Sequence, residues 1–145
     1  MRLLALDIGG TMGWATIDTE TDRILEYGQC SYYAPGDDPG KRQVPTPPWD
    51  VVVIEEPSGI LFKGSKSNVK DLITHAMRTA RWQGYFEGQG RKVYMVKDNR
   101  SKGDRVIAVC LHTHSKAIGW REHEADAAAI GIEWSENQHS HGVKV

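Results

Sequence analysis

A chain of 145 residues, 39% of them apolar, is long enough to form one domain, over residues 1–145, around a buried core. No apolar run approaches the roughly 20 residues of a membrane span, and the acid in the opening MRLLALDI is untypical of a secretory peptide, so we expect a cytoplasmic protein. Cys30 and Cys110 have neither the spacing of a disulfide framework nor that of a thiolate zinc site.

The net charge of −1 hides an uneven distribution along the chain. Residues 1–59 carry 4 basic and 10 acidic side chains, residues 60–105 carry 11 and 4, and residues 106–145 carry 3 and 5. A basic middle can neutralise phosphates while carboxylates elsewhere attract metal cations. A solvated charged helix gives similar counts, so charge alone leaves phosphate binding open.

The first third of the chain predicts three strands. Residues 2–8, RLLALDI, form an apolar run that stops at glycines, and residues 12–18 and 24–33 are apolar and β-branched around the polar turn DTETD. We expect an antiparallel meander. Residues 34–48, APGDDPGKRQVPTPP, hold five of the six prolines and predict a surface loop.

Strands and helices alternate in the rest of the chain. WDVVVIEEP predicts a buried strand over residues 51–56, and RKVYMV predicts another at 92–97. Residues 65–87 between them predict an amphipathic helix with a basic side. The apolar residues at helical spacing are Val69, Leu72, Ile73, Ala76, Ala80 and Tyr85. A right-handed crossover through this helix leaves the two strands parallel.

Two more helices are predicted after these strands. SKGDRVIAVCLH restarts a helix, with Ser101 and Asp104 spaced as a capping pair, and EHEADAAAIGIEW forms the last one. Residues 136–145 are expected to be a flexible tail. The order of elements predicts an α/β fold with a mixed five-stranded sheet, three strands in a meander and two parallel, flanked by helices.

Four residues from distant segments are candidates for one site. Asp7 and Glu55 end two buried strands, and His123 and Asp126 share one face of the last helix. Three oxygen donors and one imidazole are typical of a Mg²⁺ or Mn²⁺ site, whereas zinc prefers more nitrogen or sulfur. If the two strands are neighbours, their carboxylates repel each other, and a divalent ion relieves that repulsion.

Each of these residues also has a structural interpretation. Asp7 can accept hydrogen bonds from the backbone of the glycine turn, and Glu55 can be an exposed acid that closes a strand. Glu122 and Glu124, beside His123, can equally be acids of a first helical turn that interact favourably with the helix dipole. No one residue therefore decides between the two interpretations, and the set of four favours a metal site.

The segments LLALDIGGTMGWA, VVVIEEP, SKGDRVIAV and HEADAAAIGIEW together resemble the RuvC family of Holliday-junction resolvases, especially its short phage-type members. The resemblance spans nearly the whole chain. It implies a ribonuclease H-like fold, a homodimer, and cleavage of branched DNA such as four-way junctions, in a bacterial host's cytoplasm if a phage encodes the chain. The proline-rich loop stands where the family usually has a helix, and the segment after Glu55 is longer than usual.

The resemblance also implies a role for each candidate residue. Two Mg²⁺ ions, replaceable by Mn²⁺, would hydrolyse the phosphodiester, with Asp7 between them and Glu55 and Asp126 each completing one ion's ligands. His123 would bind a metal or position the nucleophilic water. Lys102 would lie near the scissile phosphate, or be a solvated lysine.

DNA contacts follow from the same resemblance. Phe62 matches the aromatic residue that stacks on bases near the crossover, and its alternative is an apolar anchor for the loop. The basic residues expected to hold the DNA backbone without reading bases are Lys63, Lys66, Lys70, Arg78 and Arg81.

Other functions stay open at this point. A nuclease of the same superfamily that processes ribosomal RNA would keep the acids, and a branched-DNA binder without catalysis would keep the basic helix. DIGGT also resembles the phosphate-1 segment of actin-like sugar kinases, but that fold needs two lobes.

Overall fold

The computed structural model describes residues 1–37, 44–45, 49–57, 69–97 and 121–140. Five strands form one mixed sheet in the order β3-β2-β1-β4-β5. Strands β1 to β3 form the predicted antiparallel meander, and β1, β4 and β5 run parallel. The elements in chain order are β1 (Arg2–Asp7), β2 (Thr11–Asp18), β3 (Arg23–Ser31), β4 (Val51–Glu55), α1 (Val69–Gly88), β5 (Lys92–Val96) and α2 (Glu122–Ser140).

The central strands bury both faces of the sheet. In β1, Leu4 and Leu6 contribute to one core, while Leu3 and Ala5 contribute to the other. Every one of these side chains is fully buried, which explains why β1 is a nearly unbroken apolar run and does not alternate with polar residues. Helix α1 covers the first face and α2 covers the second.

Helix α2 packs closely on β1 and β2 because the residues at the contact are small. Ala125 and Ala128 pack on Ala15, and a Cβ at Gly131 would lie 2.5 Å from Cδ1 of Ile17. The helix continues to Ser140 and so includes residues 136–140, while residues 141–145 of the predicted tail lie outside the described residues. None of the described helices combines the length and apolar character required to cross a membrane.

The face of helix α1 that packs on the sheet is not the apolar face predicted from its periodicity. Its buried residues are Thr79, Trp82 and Phe86. Val69 is 59% exposed and Ile73 is 54% exposed. The helix is amphipathic as predicted, but several apolar residues chosen from its periodicity face outward. The aromatic rings of Trp82 and Phe86 bury more area than Val69 and Ile73 could, which fixes the helix rotation.

Candidate metal centre

Three side chains with metal-binding atoms meet at the carboxyl end of β1. Asp7 is the last residue of β1, and His123 and Asp126 lie in the first turns of α2. One ligand atom from each residue lies within 4.8 Å of those of the other two. Nδ1 of His123 is 3.0 Å from Oδ2 of Asp7. Since an ionised carboxylate only accepts hydrogen bonds, we assign the proton of the histidine ring to Nδ1.

The start of α2 is fixed by a local hydrogen-bond system. The backbone N–H of Arg121 donates to Oε1 of Glu124 at 3.0 Å, which is half of a capping box. The guanidinium of Arg121 donates to both carboxylate oxygens of the same residue. Glu124 is only 3% exposed, so this acid holds the first turn of the helix. The rotation of that turn places His123 and Asp126 beside Asp7.

Gly13 allows this turn to approach the sheet. Gly13 pairs with Asp7 in the adjacent strand, and a Cβ at Gly13 would overlap the carbonyl group and side chain of His123. Any larger residue would push the first turn of α2 away from β2. The glycine is therefore required for the backbone contact that holds the imidazole next to Asp7.

The chemistry of the three residues fits a divalent cation. Asp7 and Asp126 are each 8% exposed, and two carboxylates this close and this buried are unfavourable without positive charge. His123 offers a single imidazole. Two carboxylates and one imidazole form a donor set that suits Mg²⁺ or Mn²⁺ better than zinc.

No family model and no curated protein sequence matches the chain. Solved structures do match. Thermus thermophilus RuvC superposes with a TM-score of 0.62 at 15% identity, covering 99% of this chain and 98% of that chain. The fold is that of a RuvC-like resolvase.

Two further solved structures extend the comparison. RuvC from T. thermophilus in complex with a Holliday junction substrate has a TM-score of 0.61 at 14% identity, covering 98% of this chain and 96% of that one. The complex of the fowlpox virus resolvase with substrate Holliday junction DNA has a TM-score of 0.54 at 16% identity, covering 93% and 99%. The predicted RuvC-like, ribonuclease H-like fold is confirmed.

Glu55 lies on the neighbouring strand of the RuvC-like sheet, outside the group of three. Leu6 of β1 pairs with Ile54 of the parallel strand β4. Asp7 and Glu55, the next residue in each strand, therefore lie side by side and point to the same face of the sheet. Glu55 is half-buried. The sheet thus places this carboxylate beside the metal-binding group, on the same side as α2.

The predicted DNA-binding residues divide into two sets. Lys70 and Arg81 are exposed on α1 of the RuvC-like fold, and Arg78 is half-buried with its guanidinium carbon 4.7 Å from the centre of the Tyr32 ring. The cation of Arg78 also lies near the Gly10 turn, 3.7 Å from where a Cβ of Gly10 would stand. The other predicted residues lie outside the described part of the chain: Phe62, Lys63, Lys66 and Lys102.

Sequence reasoning did not assign roles to several residues that shape the centre. Gly13 was part of a glycine-rich segment, but its contact with His123 depends on the register between β1 and β2. The sequence predicts Glu124 as an acid of the first helical turn, and the structure adds that its carboxylate caps the helix by accepting the backbone N–H of Arg121. The spacing of Arg121 and Glu124, three residues apart at a helix start, was the available signal.

Proposed function

We propose that this protein is an endonuclease that depends on a divalent metal and cleaves branched DNA. The observation that carries the proposal is the convergence of Asp7, His123 and Asp126 at the end of β1. The RuvC-like fold supports it, because two solved structures with this fold are complexes with Holliday junction DNA.

Asp7, Asp126 and His123 are the residues that would hold the metal, and Glu55 is the fourth ligand that we propose. When bound, one or two Mg²⁺ or Mn²⁺ ions would activate a water and stabilise the leaving oxygen of a phosphodiester. The hydrogen bond from Nδ1 of His123 to Asp7 orients the imidazole and leaves Nε2 as the ring's acceptor nitrogen. His123 can thus bind an ion or accept a proton from a water.

The basic side chains of α1 support a nucleic-acid substrate. Lys70, Arg78 and Arg81 lie on α1, and we propose that they hold the DNA backbone together with Lys63 and Lys66. Lys102 is proposed to contact the scissile phosphate, and Phe62 to stack on a base. Binding through phosphates should weaken steeply with salt, because each contact releases counterions.

A homodimer is also part of the proposal. Symmetric cleavage of a four-way junction needs two active sites, and α1 exposes apolar side chains on one face, among them Val69, Ile73 and Met77, which are 59%, 54% and 53% exposed. Contiguous exposed apolar surface of this kind is typical of a protein contact.

The direct test is cleavage of a four-way DNA junction in Mg²⁺, compared with a linear duplex and with an RNA junction of the same sequence. We expect cleavage of the DNA junction by the wild type, none by Asp7→Asn, and full activity of Asp37→Asn, which replaces an exposed aspartate elsewhere. Preferential cutting of the RNA junction would identify an RNA-processing nuclease instead. Binding of the junction without cleavage by either protein would indicate a DNA-binding protein.

A further inference from the structure

The turn after β1 lies between the two faces of the sheet, at its carboxyl end. Asp7 lies on the same face of β1 as Ala5, which belongs to one core cluster with Ile130 of α2. The candidate metal centre is therefore on the face that α2 covers. The chain then continues to β2 through Gly9, which is half-buried, and Gly10, which is exposed. These two residues leave the surface of the turn without side chains.

Arg78 of α1, on the opposite face, contacts the same turn. A terminal nitrogen of its guanidinium is 3.7 Å from where a Cβ of Gly10 would stand. Its guanidinium carbon is 4.7 Å from the centre of the Tyr32 ring. The backbone N–H of Tyr32 donates to the carbonyl oxygen of Gly10 at 3.0 Å. The ring in contact with the cation is therefore fixed to the turn that follows Asp7.

No acid among the described residues neutralises Arg78. Within that part of the chain, its guanidinium forms no hydrogen bond and no ion pair, and its contact is with the Tyr32 ring. Arg121 at the start of α2 differs, because its guanidinium is hydrogen-bonded to both oxygens of Glu124. The N–H donors of Arg78 are thus available to a ligand, and a guanidinium is well suited to bind a phosphate.

The distance from the metal centre to Arg78 corresponds to a short run of nucleotides. Asp7 and Gly10 are three residues apart, so their Cα atoms are separated by at most about 11 Å. One strand of B-DNA advances about 3.4 Å per nucleotide along the helix axis. A strand with its scissile phosphate at Asp7 can therefore bring another phosphate to Arg78 within about four nucleotides. The glycines of the turn allow a close approach of the strand.

We propose that the cleaved strand passes over the turn at Gly9 and Gly10, and that Arg78 binds one of its phosphates within about four nucleotides of the cut. This inference rests on the proposed function, and it assigns to Arg78 a defined phosphate instead of a general affinity for DNA. The contact would position the scissile phosphate at the metal centre, where the carboxylates of Asp7 and Asp126 would otherwise repel it.

The test replaces single phosphates of a four-way junction by neutral methylphosphonates, at four positions on either side of the scissile phosphate. We expect one replacement to lower the kcat/KM of the wild type at least about tenfold, because a charge-assisted hydrogen bond is lost. In Arg78→Gln the same replacement should cost less than about twofold, since both changes remove one contact. Arg78→Lys should keep part of the effect. Arg23→Gln, the same change at the exposed start of β3, should keep all of it.

A second variant tests the path of the strand without changing Arg78. The fold has room for a side chain at Gly10, because the nearest atom to a Cβ there is 3.7 Å away. Gly10→Leu should therefore unfold in urea like the wild type. Its kcat/KM should be at least about tenfold lower, because the new side chain occupies the path of the strand. Gly88→Leu adds the same side chain where nothing lies within 4 Å of a Cβ, and it should cut at the wild-type rate.

The possible failures are distinguishable. A protein that cuts no junction removes the proposed function and this inference with it. If the wild type cuts, two results remove this inference alone: every methylphosphonate effect persists in Arg78→Gln, or Gly10→Leu cuts at the wild-type rate. Thermal unfolding shows whether each variant is folded. If Arg78→Gln is unfolded, the result for Gly10→Leu decides.

Discussion

Nδ1 of His123 lies 3.0 Å from Oδ2 of Asp7, although 116 positions separate the two residues in the chain. The contact exists because the first turn of α2 crosses the end of β1, where Gly13 leaves room for it. With Asp126, these two residues form a group whose ligand atoms all lie within 4.8 Å of one another, and such a group could hold a cation.

Mn²⁺ should stabilise the protein through Asp7, His123 and Asp126. A ligand that binds the folded chain alone adds about 2.7 kcal/mol to the free energy of unfolding at 100 times its Kd. We expect the free energy of unfolding, measured with urea, to be higher in Mn²⁺ than in EDTA by an amount of this order. Asp126→Asn should lose most of the shift because it removes one carboxylate ligand. Asp37→Asn should keep it, and an equal shift in both variants would place the ion elsewhere.

Gly13→Ala should disrupt the candidate metal centre although it adds only one methyl group. Its methyl group would overlap the carbonyl and Cβ of His123, so the helix start must move away from β2. We expect a loss of about 1–3 kcal/mol in the free energy of unfolding, together with loss of the Mn²⁺ shift. Gly84→Ala is the matched control, because nothing lies within 4 Å of a Cβ there and alanine favours a helix by up to about 1 kcal/mol. Unchanged Mn²⁺ binding by Gly13→Ala would contradict the role of this contact.

The strands were predictable because each buried strand is a short apolar run bounded by turn residues. In β1 and β4 the runs RLLALD and VVVIE end on acids, and the structure ends both strands at those acids. The rotation of α1 was not predictable from the same pattern. Its buried face follows Thr79, Trp82 and Phe86, while a second apolar stripe through Val69, Ile73 and Met77 is exposed. Periodicity identifies apolar faces but does not say which one meets the sheet.

The candidate site shows the same division between local and register-dependent information. Asp7 at a strand end, and His123 and Asp126 three residues apart on one helix, can be recognised from local sequence. The role of Gly13 and the alignment of Asp7 with Glu55 cannot, because both depend on which residues pair across β2, β1 and β4. Register is set by packing of the whole sheet, and a shift of one residue would move these side chains to the other face.

The exposed apolar face of α1 should mediate self-association. We expect the wild type to sediment as a dimer at micromolar concentration and Met77→Glu to sediment as a monomer, because a buried, unpaired charge at the contact is costly. Thr74→Glu adds the same charge at another exposed position of the helix, outside the Val69, Ile73 and Met77 stripe, and should leave the dimer intact. A monomeric wild type, or a dimer unaffected by Met77→Glu, would show that this stripe does not mediate self-association.

The stability of the protein should decline in alkali because of Cys30 and Tyr33. Burial raises the pKa of Cys30 above its ordinary value of 9.0 and that of Tyr33 above 10.0, so the unfolded chain releases these protons at lower pH than the folded one. The free energy of unfolding should therefore be nearly unaffected by these groups below about pH 8. It should fall as the pH rises through the two unfolded values.

Each group can contribute at most about 1.4 kcal/mol per pH unit, and partial exposure of Cys30 keeps its share below that limit. Urea unfolding at pH 8, 9 and 10 measures the slope. Cys30→Ala should flatten it between pH 8 and 10, and Tyr33→Phe should flatten it mainly above pH 9.5. Tyr33→Phe also removes the hydroxyl that accepts the backbone N–H of Val44 at 2.8 Å, so its stability should be lower at every pH. Parallel curves for Cys30→Ala and the wild type would show that the Cys30 thiol ionises alike in the folded and unfolded chain.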